Sequence, residues 1–188
     1  MRMIKQSWTR ALVALTLLIG APALFATSVL APDFAAMVRE ADLIFTGRMT
    51  GQHAEWRKIG SQRSIVTLVR FEVLATHKGQ ATREVELQFL GGRIDQASLE
   101  VESIPKFHVG DRVVLFVEQN GVNASPLVGF FHGKFDVLSD GTMTHYDGAP
   151  MNDVAEIGRS RAKRVASQRA LAHDEFAGKI RTAAQKAN

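Results

Sequence analysis

The chain has 188 residues, no cysteine, 46% hydrophobic residues and a formal charge of +4. That length suits one domain with extensions, and the missing cysteines exclude disulfides, thiolate metal sites and a cysteine nucleophile. The charge is uneven: residues 1–26 carry Arg2, Lys5 and Arg10 with no acid, residues 27–158 carry 12 Lys+Arg against 17 Asp+Glu, and residues 159–188 carry 8 against 2. A mildly acidic middle argues against a nucleic-acid partner, for which positive charge would line the binding face.

Met1 to Ala26 reads as a secretory signal peptide, with a basic start, an apolar run from Ala11 to Ile19, and small residues before a cleavage point after Ala26. The apolar run is about half of the ~20 residues that a spanning helix needs. No cysteine stands there to carry a lipid anchor. The expected product is a periplasmic or secreted protein with no stable membrane insertion after cleavage.

Ser28 to Ala41 predicts a short helix: Pro32 suits its first turn, Asp33 places a carboxylate at the positive end of the dipole, and Phe34, Met37 and Val38 form one apolar stripe. Leu43 to Thr50 predicts a first strand, bent at Gly47, with polar Gly51 to Gln62 as a strand end leading into a hairpin loop. Arg63 to His77 is the longest β pattern, with Ile65, Val69, Phe71 and Val73 on one face and Arg70 and Glu72 on the other. Glu84 to Leu90 alternates cleanly, Val85, Leu87 and Phe89 inward, and Gly91-Gly92 stops it. Arg93 to Ser103 reads as a polar loop.

Ile104 to Glu118 holds a Gly110-Asp111 turn and then the purest β run, Val113 to Val117. That run is apolar on both sides, so both faces should be covered, one by the barrel interior and the other by a terminal helix, through Phe34, Met37 and Val38 or through Phe176 and Ile180. Asn120-Gly121 signals a turn, Pro126 to Phe131 a short strand, and Lys134 to Leu138 and Thr142 to Tyr146 a hairpin around Asp140-Gly141. Residues 151–188 read as a basic linker followed by a helix over about Asp174 to Gln185, docking through Phe176 and Ile180.

These elements predict a mainly β fold: a small Greek-key, OB-like antiparallel barrel of about five to seven strands over residues 27–150, with a short N-terminal helix and a C-terminal helix. A resemblance agrees with that reading. Arg39-Glu40-Ala41-Asp42-Leu43-Ile44-Phe45-Thr46-Gly47, Phe71-Glu72-Val73-Leu74 with Lys78-Gly79, Leu90-Gly91-Gly92, Pro105 to Phe116, and Pro126-Leu127-Val128-Gly129 with Gly133-Lys134-Phe135 resemble a family of exported bacterial proteins. Their strand order is similar to the netrin/TIMP-like OB barrel, the fold of the tissue inhibitors of metalloproteinases. The resemblance covers roughly residues 30–146 and implies a fold. The inhibitors' zinc-chelating N-terminal cysteine and their disulfides have no counterpart here.

The candidate site residues are few. A two-residue turn at Asp140-Gly141 would pair Asp136 with His145 and place His132, Lys134, Asp136 and His145 on one face, where a divalent metal on His132, Asp136 and His145 is one reading and a solvated cross-strand ion pair the plainer one. Glu84 and Glu86 read as the wet face of a strand, and no nucleophile elbow is present. Trp56 is either an exposed partner contact or a lid over one end of the barrel. The cations from Arg159 to Arg169 are either a solvated linker or an attraction for anionic lipid. The expected function is a monomeric, non-enzymatic binding module acting on another exported protein, with Trp56, Arg93, His132, Asp136 and His145 as weak contact candidates and no cofactor. Envelope binding, or hydrolysis near the last hairpin, are the alternatives.

Overall fold

A computed structural model of the chain describes residues 31–102, 104–160 and 169–187. The expected signal peptide, and most of the basic linker, lie outside those residues. Helix α1 is Phe34–Glu40. Strands β1 (Leu43–Ile59), β2 (Gln62–Lys78) and β3 (Glu84–Leu90) follow, then β4 (Gly92–Ile94) and β5 (Ala97–Leu99). The chain closes with β6 (Arg112–Val117), β7 (Lys134–Val137), β8 (Met143–His145), a 3-10 turn at Val154–Glu156 and helix α2 (His173–Ala187). Six strands form one antiparallel sheet in the order β3-β2-β1-β6-β7-β8, and β4-β5 form a second, two-stranded sheet. Among the described residues no closed barrel is found, and no helix is long and apolar enough to cross a membrane.

β6 is buried on both faces. Val114 and Phe116 join the core beneath the helices, with Met37 and Val38 of α1, Phe176 and Ile180 of α2, and Phe135 and Met143. Val113, Leu115 and Val117 join the opposite core, with Phe45, Met49, Val69, Phe71, Leu87, Phe89 and Phe107. Both terminal helices cover the same face, through the stripes that their spacing marks. Each fully buried side chain of this size contributes about 1.5–3 kcal/mol.

α1 has seven residues and needs help from outside itself. Asp33 caps its start, its carboxylate accepting from the Ala36 N–H at 2.8 Å. Lys78, at the end of β2, closes the other end. Its ammonium donates to the carbonyls of Val38 (2.7 Å), Arg39 (3.0 Å) and Ala41 (2.6 Å), which uses all three N–H groups on backbone oxygens left open by the helix terminus.

Four expectations are corrected. First, in Gly51 to Gln62, read as a strand end leading into a hairpin loop, the strand takes up most of the segment and the loop is only Gly60-Ser61. β1 runs to Ile59 and pairs with β2 as far as Ile59↔Gln62, so a long two-stranded ribbon turns at Gly60-Ser61. Cross-strand pairing outweighs the polar composition there. Second, Arg93 to Ser103 contains the β4–β5 hairpin, with Asp95 in the left-handed region at φ 51°. Third, Pro126 to Phe131 is a run of turns with one bridge, Val117↔Leu127, because Gly129 and Phe130 both take φ 64°.

Fourth, the last hairpin has a three-residue loop, Ser139 to Gly141, so Phe135 pairs with His145 and Asp136 with Thr144. A one-residue slip turns every side chain to the other face. His145 therefore points away from Asp136.

The edge of β3 that lacks a strand partner is met by the loop after β6. Asn120 stands in for a strand residue: its amide donates to the Glu86 carbonyl (2.8 Å) and accepts from the Gln88 N–H (3.0 Å), and Leu90 N–H donates to the Ala124 carbonyl (2.7 Å). Urea unfolding checks the two-sided role of β6. Phe116→Ala is expected to lower stability by about 3–5 kcal/mol, and Leu74→Ala, at a position 40% exposed, by less than about 0.5 kcal/mol.

Candidate functional site

A concave feature lies where the β1–β2 ribbon, β3 and the β4–β5 hairpin meet. It is a groove of about 800 Å³. Val69, Phe89 and Phe107 line its floor, and Gln52, Thr67, Ser98, Leu99 and Val101 its walls. Phe107 is fixed by edge contacts: its ring centre is 5.2 Å from that of Phe71 and 5.4 Å from that of Phe89. Lys134, itself buried, holds its ammonium 5.6 Å from the same ring.

The groove depends on a tight crossing of β3 into β4. Thr67 Oγ1 donates to the Gly91 carbonyl (2.7 Å), and Gly91 N–H to the Ile65 carbonyl (2.8 Å). A Cβ at Gly92 would lie 2.5 Å from Thr67 Oγ1 and 3.2 Å from the Ala54 methyl, at a φ of 137°. Only glycine fits there.

The rim carries Arg93, Glu100, Glu102, Lys106 and His108, all exposed. His108 lies beside Asp111, Nδ1 to Oδ2 3.5 Å, with its side chain 82% exposed. The same Asp111 oxygen accepts the His108 backbone N–H at 2.7 Å, which makes the pair a turn device. Among the described residues β5 has a strand neighbour on one side only. The two-residue loop between Ile94 and Ala97 makes Arg93↔Ser98 the pair without mutual hydrogen bonds, so Ser98 N–H and C=O point outward from β4.

The five residues singled out from sequence are scattered. Arg93 stands on the groove. Trp56 sits near the end of the β1–β2 ribbon, 42% exposed, with Arg63 5.1 Å above its ring, so it is no buried lid. Asp136 takes both oxygens to the Lys134 ammonium (2.5 and 2.7 Å). His132 stacks beside Phe131 (4.3 Å) and Tyr146 (5.0 Å). His145 is buried against Glu156, Nε2 to Oε2 3.8 Å, and the same carboxylate accepts from Asn152 N–H at 3.0 Å. The His132–Asp136–His145 metal set is thus not assembled, and among the described residues no other group of three or more His, Asp or Glu is placed to hold a metal.

One polar cluster went unrecognised in the sequence. Thr46 Oγ1 lies 2.7 Å from His77 Nε2 and 2.9 Å from His173 Nε2, and His173 Nδ1 lies 3.0 Å from Asp174 Oδ1. A carboxylate only accepts, so His173 Nδ1 carries a hydrogen toward Asp174. The Thr46 hydroxyl bridges the Nε2 atoms of both rings, and His77 Nδ1 is buried without a hydrogen-bond partner among the described residues. The connectivity Thr–His–Asp is that of a nucleophilic triad, but Thr46 is 0% exposed and Asp174 has a side chain 99% exposed. No substrate reaches this hydroxyl. The cluster joins α2 to β1 and β2.

Compared with known proteins, no family model, no curated protein and no solved structure matches the chain.

Burial, then the neighbouring His173 and Arg181, lower the His77 pKa from its ordinary 6.5 to about 4. The folded state thus binds this proton less tightly than the unfolded chain does. Its contribution to stability is full above pH 6.5 and is lost as pH falls from 6.5 to about 4. Thermal unfolding across that range is expected to show this fall in the wild type and a smaller one in His77→Gln.

Proposed function

We propose that the protein is an exported binding module that works by contact with another protein, on a scaffold of the OB-barrel kind. The observation that carries this reading is the groove: a concave apolar floor of Val69, Phe89 and Phe107, ringed by exposed charges of both signs, beside a strand with one edge free. This suits an extended polypeptide segment, which would pair its backbone with β5 and seat alternate side chains on the floor. Its rim groups are all exposed, which suits recognition better than the desolvated, mutually positioned acid and base that catalysis needs. The partner is taken to be exported like the module. An exported peptidase is the partner class that the netrin/TIMP-like resemblance suggests.

A random peptide library displayed against the protein tests the reading. Selected peptides are expected to compete with one another for one site. Ser98→Pro removes an outward N–H without touching the floor, and Arg93→Glu reverses a rim charge. Each is expected to weaken binding by about tenfold. Failure to select any peptide, or peptides indifferent to both substitutions, would sink the proposal.

A further inference from the structure

The far end of the β1–β2 ribbon has a composition unlike the rest of the domain. Residues 56–65 carry Arg57, Lys58 and Arg63 and no acid, while the rest of the span 27–158 carries 9 Lys+Arg (12 less these 3) against 17 Asp+Glu. Within the span 27–158 the ribbon end is thus a local cationic patch.

The geometry of the end is equally distinct. Pairing of β2 with β3 stops at Val66↔Leu90, and pairing of β1 with β6 stops at Arg48↔Arg112. Among the described residues no third strand pairs with the ribbon beyond those points. Its turn is Gly60-Ser61, and a Cβ at Gly60 would meet nothing within 4 Å. The turn thus stands in open space, and a two-stranded end does not enclose a peptide. It can touch a plane.

The side chains are set for such a contact. Trp56 and Arg63 share one face, ring and guanidinium 5.1 Å apart, and Lys58 is paired with Arg63 across the ribbon. Arg57, on the other face, is tied to Glu55 and donates to Gln88 Oε1 at 2.7 Å. Lys58 and Arg63 are thus the cations presented with Trp56. An indole with one apolar body and one N–H is the side chain best suited to a headgroup layer.

We propose that the end of the β1–β2 ribbon docks on an anionic phospholipid surface, with Trp56 entering the headgroup layer and Lys58 and Arg63 pairing with lipid phosphates. The contact is peripheral and salt-sensitive, since a few cations and one ring give modest, screened attraction. Trp56, Lys58 and Arg63 are not among the residues that line the groove.

Trp56 is its own reporter. The chain has two tryptophans, Trp8 and Trp56, so the full chain carrying Trp8→Phe reads Trp56 alone. It is mixed with vesicles of phosphatidylglycerol and phosphatidylcholine, and with vesicles of phosphatidylcholine alone, each with and without brominated acyl chains. The expected result is a blue shift and bromine quenching of Trp56 on the anionic vesicles only, reversed by high salt. Lys58→Gln with Arg63→Gln is expected to lower the apparent partition coefficient by about 25-fold, roughly fivefold for each cation removed. Arg93→Glu is expected to leave it unchanged, which separates this surface from the groove. Quenching equal on both vesicle types, no quenching on either, quenching indifferent to the double substitution, or a soluble polyglutamate that shifts Trp56 where vesicles do not, would each overturn the proposal.

Discussion

The structure depends on one strand having no polar face. Val113 to Val117 must be kept from water on both sides, and a single sheet can shield only one of them with its own curvature. On one side the long β1–β2 ribbon and β3 fold over Val113, Leu115 and Val117 with a cluster of phenylalanines. On the other, two helices from opposite ends of the chain meet over Val114 and Phe116. The termini are thus brought together by the need of the middle. The small capping interactions serve this arrangement: Lys78 closes α1 so that its stripe can lie on the sheet, and the Thr46–His77–His173 cluster ties α2 to the two strands beneath it.

The groove is a by-product of the same constraint. β3 leaves the six-stranded sheet at Gly91-Gly92, and the chain must come back to the start of β6 across the floor that Phe89 and Phe107 form. The β4–β5 hairpin is that return path, and it hangs over the apolar floor with one edge unpaired. The ribbon end projects because β1 and β2 outrun both of their outer neighbours. A binding surface and a projecting tip therefore arise from mismatched strand lengths around β6.

Much of the fold was legible. The alternation of Val85, Leu87 and Phe89 placed β3 to the residue, and the i, i+3, i+4 stripe of Phe34, Met37 and Val38 and the pair Phe176–Ile180 named the docking faces of both helices. The site was much less legible. Trp56, read as either a partner contact or a lid, and Arg93, a weak contact candidate, stand on the ribbon and the groove. Phe107 read as a residue of an approach loop, because no periodicity marks a side chain whose burial comes from rings on β2 and β3. Asp136 and His145 were placed together by assuming a two-residue turn. The actual loop has one residue more, held by the Leu138–Thr142 and Gly141–Leu138 backbone bonds, and the sequence Ser-Asp-Gly is compatible with either.

By itself, the sequence determined the compartment expectation, the β character, the two-sided burial of β6 and the faces of both helices, because these follow from charge and from hydrophobic period, which are properties of neighbours along the chain. Only the tertiary structure decided that polar residues 51–59 belong to a strand, that residues 93–99 form a hairpin over a groove, and that His77, Thr46 and His173 meet. The first two are pairings between near neighbours that polar composition hides, and the third rests on partners far away in sequence, with α2 supplying His173 to Thr46. A local pattern carries no record of which distant group will satisfy its hydrogen bonds.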